Sequence, residues 1–389
     1  MANGELMVVA GEASGDLHAA DVLAELRRRR PELRAFGMGG PRLEAAGLER
    51  LFDAREISVM GIAEVLPRLP RIWRVFRALV RAARERRPSA ALLVDVPDFN
   101  LRLARKLRAA GIPVVFYVSP TVWAWRRGRV RQIARDVDRM LCILPFEEEF
   151  YRAHGVRARY VGNPVVEQVP PPGAPESFRR ALGLDVGRLT LALLPGSRPS
   201  ELHRLLPTMV ESAALLQRER PELQIVVPVA PGLDRAPVEE AFSARGLRPT
   251  LVDGRAAEVV GASDVAVVAS GTATLEAALM QRPMVVVYRM SALSWAIGRL
   301  LVRVAFVSLV NLLSGRRLVP ELLQAELRPQ AVADEVRRLW APGRARDAQL
   351  EGLLALRARL GNGPTASRVA DEVLEVMDAR GKEPASLAR

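Results

Sequence analysis

Four short stretches of the 389-residue chain carry side chains that could do chemistry. The first, Gly11-Glu12-Ala13-Ser14-Gly15-Asp16-Leu17-His18, mixes small residues that let backbone approach a ligand with two acids and a histidine. Ser14 or Asp16 would serve equally as the cap of a following helix, and the spacing is not a dinucleotide fingerprint. The second, Asp95-Val96-Pro97-Asp98-Phe99-Asn100, sets two carboxylates and an amide around a proline-marked turn. Asp98 there is either a general base or a helix cap, with Asp95 and Asn100 as polar support. The third, Leu194-Pro195-Gly196-Ser197-Arg198-Pro199-Ser200-Glu201, has the makings of an anion cradle, in which backbone N–H groups, a helix dipole and a guanidinium converge. The fourth, Ser270-Gly271-Thr272-Ala273-Thr274-Leu275-Glu276, suits a diphosphate, and Glu276 lies one turn further on, in reach of ribose hydroxyls. Either of the last two alone is weak; together they point to a nucleoside diphosphate.

Other candidates have plainer readings. Asp136-Val137-Asp138 has the spacing of a metal-holding pair, but it precedes a strand, so salt bridges to neighbouring arginines are expected. Met60-Gly61-Ile62 and Glu64-Val65-Leu66 read as core. One cysteine, Cys142, excludes an internal disulfide or a cysteine zinc cluster and fits a reducing cytoplasm. The three histidines, His18, His154 and His203, are too scattered for a histidine metal site.

These loops need strands to aim them. Apolar runs over 6–10, 90–96, 113–118, 140–144, 189–194, 224–229, 265–269 and 284–288 read as strands covered on both faces. Amphipathic segments such as 17–30 and 71–87 read as the helices between them, so the class is α/β with two doubly wound parallel sheets. In such sheets ligands collect beyond the carboxyl ends of the strands, where all four loops fall. Pro- and Gly-rich 162–176 reads as a linker. The expected domains are 1–168 and 169–345, with a helical segment at 346–389 packing across their junction. A cleft between the domains would hold the ligands.

Net charge is +13, carried by 55 arginines and two lysines, and residues 1–170 are the more basic part. An arginine-rich composition fits a G+C-rich genome; the asymmetry suggests an anionic partner. Between Arg68 and Arg87, Ile72, Phe76, Leu79 and Ala83 step along one side of a helix, while Arg74, Arg77, Arg81 and Arg84 share another. That is either a solvated outer helix or one resting on anionic lipid. The apolar patches at 295–301 and 304–313 could act likewise. No stacking or finger motif for nucleic acid is present. Residues 1–10 do not resemble a signal peptide, and no run is long and apolar enough to span a bilayer.

The blocks VAGEASGDLHAA, SVMGIAEVL, DVPDFN, YVSPTVWAWRRGRV, LPFEEEFY, LLPGSRPSEL, VASGTATLEAAL, PMVVVYRM and SLVNLLSGRRLVPELLQ follow the order and spacing of the lipid-A-disaccharide synthase family. The resemblance spans residues 5–330. Pro320 departs from it, standing where a polar residue is expected and shortening a helix start.

The resemblance implies two Rossmann-like domains of the GT-B glycosyltransferase architecture, 1–168 facing acceptor and membrane and 169–345 binding a UDP-sugar. It implies an inverting, metal-independent transfer of 2,3-diacylglucosamine from UDP-2,3-diacylglucosamine to the 6-hydroxyl of 2,3-diacylglucosamine 1-phosphate, with no cofactor. Localisation would be cytoplasmic, peripheral on the inner-membrane face of a Gram-negative bacterium; a homodimer is compatible.

Asp98 is the implied base and His18 its runner-up, with Glu12 beside it. Donor binding would use Gly196, Ser197, Arg198, Glu201, Ser270, Gly271, Thr272, Ala273, Thr274, Glu276, Arg289 and Asn311. Ser14, Gly15, Asp16, Asn100, Trp125 and Arg126 would face the acceptor, and Arg74, Arg77 and Arg81 the membrane. Alternatives are another UDP-N-acetylglucosamine enzyme of the same architecture, a 2-epimerase or the lipid-II N-acetylglucosaminyltransferase, or a non-catalytic membrane- or nucleic-acid-binding protein.

Overall fold

Alternating buried strands and amphipathic helices build two parallel sheets, each in its own unit. The computed structural model describes residues 4–57, 62–125, 127–292, 295–296, 304–361 and 363–382. One unit comprises Met1–Pro164 and Gly363–Arg389, the other Val165–Asn362.

The first unit holds β1 (Glu5–Ala10), β2 (Arg34–Gly39), β3 (Leu48–Asp53), β4 (Ala90–Val94), β5 (Val114–Tyr117), β6 (Arg139–Cys142) and β7 (Ala158–Tyr160). Their order is β3-β2-β1-β4-β5-β6-β7, all parallel. The order reverses between β1 and β4, where Ala10 pairs with Val94. The loops after these two strands, 11–16 and 95–100, therefore leave the sheet side by side at its switch point.

The second unit repeats the plan with β8 (Thr190–Leu194), β9 (Gln224–Val229), β10 (Thr250–Asp253), β11 (Val265–Ala269), β12 (Met284–Tyr288) and β13 (Glu321–Leu323), ordered β10-β9-β8-β11-β12-β13. Its switch point lies between β8 and β11, where Leu194 pairs with Val268, so loops 195–201 and 270–276 are neighbours. The central strands β1, β4, β8 and β11 are buried almost along their whole length, as their unbroken apolar runs require.

Several boundaries differ from expectation. The run over 90–96 stops at Val94, because Asp95 and Val96 turn into the left-handed region with φ of 54° and 43°. The helix expected at 17–30 begins at Ala13, and that expected at 71–87 is Ile62–Arg86. Residues 58–61, hence Met60 and Gly61, lie outside the described residues, as do 297–303 of the second apolar patch.

The stretch 162–176 is not a bare linker: the short helices Val165–Gln168 and Pro175–Ala181 start in it and belong to the second unit. Pro320 precedes β13 and shortens no helix.

The segment 346–389 divides. Helix Arg344–Leu360 stays with the second unit, whereas helix Thr365–Lys382 packs on the first. There Val369, Ala370, Val373, Val376 and Met377 join one core with Leu6, Val8 and Leu92. Arg29 reaches Asp371 at 2.5 Å, and Arg139 and Arg159 both pair with Glu372.

Candidate functional site

In the second unit, the loops after β8 and β11 line one cavity of about 460 Å³. Gly196, Ser197, Arg198 and Glu201 contribute one wall, and Ser270, Gly271, Thr272, Ala273 and Glu276 another. Pro228 of β9, Ala230 and Pro231 after it, and residues 254–256 after β10 complete it; none of these stretches carries a motif by which the sequence could have marked them. Helix Thr272–Leu279 opens at the cavity from Gly271, whose φ of 156° suits glycine. The first N–H groups of that helix have no intrahelical acceptor, so they are ready for an anion. Burial pushes the Glu276 carboxyl above its usual range. Hydroxyl donors of a ligand would supply the hydrogen bonds that an ionised carboxylate needs there.

The cradle after β8 is organised by its own acid. Glu201 accepts from the Ser197 amide at 3.0 Å and from the Arg198 guanidinium at 3.1 Å. A side chain on Gly196, at φ 113°, would run into the Glu201 carboxylate. The Ser197 N–H is thus engaged internally, while Arg198 keeps over half its side chain exposed. A second cavity, about 350 Å³, lies between helices Pro199–Glu219 and Ala236–Ser243. It is lined mostly by Leu, Pro and Ala and brings no set of convergent donors.

In the first unit, Asp98 stands in the first turn of helix Pro97–Ala109. Val96 takes the cap position, so Asp98 is not the helix cap; its carboxylate meets Arg129 at 2.5 Å and stays 63% exposed. A β-branched residue with positive φ, such as Val96, is a strained conformation of the kind that gathers at functional sites. Val118, at the end of the adjacent β5, has φ 64°.

Asn100 fixes this turn. Fully buried, it donates to the Val94 and Asp95 carbonyls at 3.1 and 2.8 Å. Burial raises the Asp95 carboxyl, opposed by the Val96 amide. His18 is half-buried, edge-on to Tyr117 at 6.5 Å. Glu12, Ser14 and Trp125 are exposed and Gly15 is buried; Arg126 lies outside the described residues.

Some expected ligand contacts have structural work instead. Buried Asp16 does not cap its own helix; it accepts from the amides of Gly40, Arg42 and Leu43 at 2.6, 3.1 and 3.2 Å, holding helix Pro41–Ala45. Asn311 has no exposed surface, and its amide is spent on Leu318, Val319 and Glu321. Arg289 donates to the Gln324 and Leu327 carbonyls, and the Thr274 hydroxyl to Gly271. All depend on partners remote enough in sequence, or hidden enough in a turn, to leave no pattern.

Asp136 and Asp138 pair with Arg135 and Arg108, as expected. Among the described residues, no group of three or more His, Cys, Asp or Glu is placed to hold a metal. No described helix is long and apolar enough to cross a membrane.

Comparison with known proteins follows this geometry. The family model described as lipid-A-disaccharide synthetase matches residues 6–353. A lipid-A-disaccharide synthase from Myxococcus xanthus is 63% identical over 372 residues, covering 96% of this chain and 97% of that protein. Among solved structures, the calicheamicin glycosyltransferase CalG4 aligns at TM-score 0.61 and 17% identity, over 97% of this chain and 99% of that one. A UDP-GlcNAc 2-epimerase from Neisseria meningitidis, bound to UDP-GlcNAc, aligns at TM-score 0.59 and 12% identity, over 96% and 100%. At such identities the last two speak only for the fold.

Proposed function

The chain belongs to the lipid-A-disaccharide synthase family of glycosyltransferases, and on that premise we propose that it transfers 2,3-diacylglucosamine from UDP-2,3-diacylglucosamine to the 6-hydroxyl of 2,3-diacylglucosamine 1-phosphate. The products are the β-1,6-linked disaccharide 1-phosphate and UDP. The observation that carries this reading is the convergence of two phosphate-type loops and a half-buried carboxylate on one cavity of the second unit.

Inversion divides the labour: a base takes the acceptor proton as the new bond forms, and donors receive the charge of the departing diphosphate. Asp98 is the base. The Arg129 guanidinium meets its carboxylate at 2.5 Å and orients it in the first turn of helix Pro97–Ala109. Arg198 and the first amides of helix Thr272–Leu279 receive the diphosphate, and Glu276 accepts from the ribose hydroxyls. In this reading a guanidinium and a helix terminus stand where a divalent ion would otherwise be needed.

Attachment to anionic lipid fits helix Ile62–Arg86. Trp73 is 53% and Leu69 47% exposed, among the exposed Arg74, Arg77 and Arg81. The Arg77 guanidinium lies 5.7 Å from the Trp73 ring, which stacks on Phe76, which in turn meets Phe99 edge-on. An apolar tip ringed by arginines suits a leaflet surface, at roughly 1 kcal/mol per arginine. On this reading the protein works at the cytoplasmic face of the inner membrane.

The test is incubation with both lipid substrates, with and without chelator, with products weighed by mass spectrometry. Disaccharide 1-phosphate in both arms is expected. A UDP-sugar epimer formed without acceptor would reinstate the epimerase reading, and activity lost with chelator would remove the metal-independent mechanism. Replacing Arg74, Arg77 and Arg81 with Glu is expected to weaken sedimentation with anionic liposomes while sparing turnover on detergent-dispersed substrate.

A further inference from the structure

The roles above leave one buried acid unused. Glu147 is 1% exposed, at the start of helix Pro145–Arg152 beneath the segment that follows β5. One carboxylate oxygen accepts from the Leu144 amide at 3.1 Å and so holds the helix start. The other points away from that helix and accepts from the Trp123 indole N–H at 3.0 Å. The Trp123 ring packs edge-on against Phe146, with centroids 4.9 Å apart. Four residues beyond Glu147 along the helix, the buried Tyr151 donates its hydroxyl hydrogen to the Pro120 carbonyl at 2.7 Å, twenty-four residues of chain or more separating the partners of both hydrogen bonds.

Residues 119–125 are thus pinned at two points by one short helix. Their chain continues into Arg129, which contacts Asp98 at 2.5 Å. On their other side stands the left-handed Val118, at the carboxyl end of β5 next to the strained turn after β4.

Burying this carboxylate costs stability. Burial pushes Glu147 up to about 7, among Cys142 and Tyr151, both themselves raised by burial, with the Glu148–Arg152 pair nearby. A leucine in that place would pack without the electrostatic penalty, but it would take away the carboxylate that accepts from the Trp123 N–H, and with it one of the two ties on the segment.

We propose that Glu147 is a positioning residue for the transfer step: through Trp123 it fixes the 119–125 segment and hence the approach of Arg129 to Asp98. The proposal rests on the reading of Asp98 as base, and the experiment separates the two. Full-length Glu147→Leu, Glu147→Gln, Trp123→Phe and the Glu147→Leu/Trp123→Phe double variant are assayed with both lipid substrates, and UDP affinity and near-ultraviolet circular dichroism are measured in parallel.

The expected result for Glu147→Leu is a kcat lower by roughly 10- to 100-fold, with donor KM and UDP affinity held within about twofold. Glu147→Gln, which keeps an acceptor, is expected to recover to within about threefold of the parent, and the double variant to be no worse than Glu147→Leu. The dichroism of the tryptophans should change in Glu147→Leu and Trp123→Phe but not in Glu147→Gln.

Full kcat in a folded Glu147→Leu, or a rise in donor KM with kcat unchanged, would overturn the proposal. If Glu147→Leu does not fold, Trp123→Phe alone decides, since it removes the N–H and keeps the ring: an undiminished kcat there also overturns it. Should Asp98→Asn retain full turnover while Glu147→Leu and Trp123→Phe lose it non-additively, the base assignment falls and the positioning of the segment stands.

Discussion

Both units present two loops at the switch point of a parallel sheet, yet they fill that place differently. In the first, charged and donor groups are largely engaged within the fold: Asp16 is spent on three amides, the Asn100 Nδ2 on two carbonyls, and Asp98 on Arg129. In the second, the same position is an open cavity, with helix amides, an exposed guanidinium and a raised carboxyl facing it. The difference fits the roles proposed for the two units. A nucleoside diphosphate brings its own charge and donors, so its receptor stays unmatched until it arrives. A proton acceptor must be held in one pose beforehand, so its surroundings are tied down in advance.

That contrast can be broken at Asp98 first. Asp98→Asn is expected to lower kcat by roughly 10²- to 10⁴-fold with UDP affinity unchanged; near-full turnover would move the base to His18. Next, Arg198→Ala should cost roughly 10²- to 10³-fold in kcat and also weaken UDP, which calorimetry measures directly. If UDP bound Arg198→Ala as tightly as the parent, the open cavity would lose its assigned guest.

Asp16→Ala leaves three amides without their acceptor. It should destabilise the first unit by roughly 2–4 kcal/mol in denaturant melts while UDP binding to the second persists. Equal loss of both would show that the units do not melt separately. Smallest is Glu276→Gln, which keeps one acceptor oxygen and should weaken UDP only several-fold, an effect of about 1 kcal/mol. Because burial favours the protonated form of Glu276, the parent's UDP affinity should rise with pH as the carboxyl ionises, and the Gln variant should lose that slope.

What the sequence discloses follows from how locally each feature is encoded. Strands β1, β4, β8 and β11 are unbroken apolar runs because both their faces are covered, so they and the loops after them could be read directly. Strands β2, β3, β10 and β13 carry charges or glycines, and nothing in their short runs separates them from loops. The pairing of loops 195–201 and 270–276 was legible once each was placed after a central strand. The burial of Asn311 and the three amides held by Asp16 were not, since an amide or carboxylate looks the same whether its partner is a ligand or a distant backbone. Glu147 and Trp123 lie in separate motifs twenty-four residues apart, and only the fold joins them.

Helix Thr365–Lys382 gives the first unit a piece of core supplied by residues that leave the ribosome only after the whole second unit. The first sheet, although made earlier, lacks the side chains that cover Leu6, Val8 and Leu92 on that face until the second unit has been synthesised. A premature stop near residue 360 would consequently spoil the part of the protein synthesised earliest, leaving the later-made nucleotide receptor with its full complement of strands.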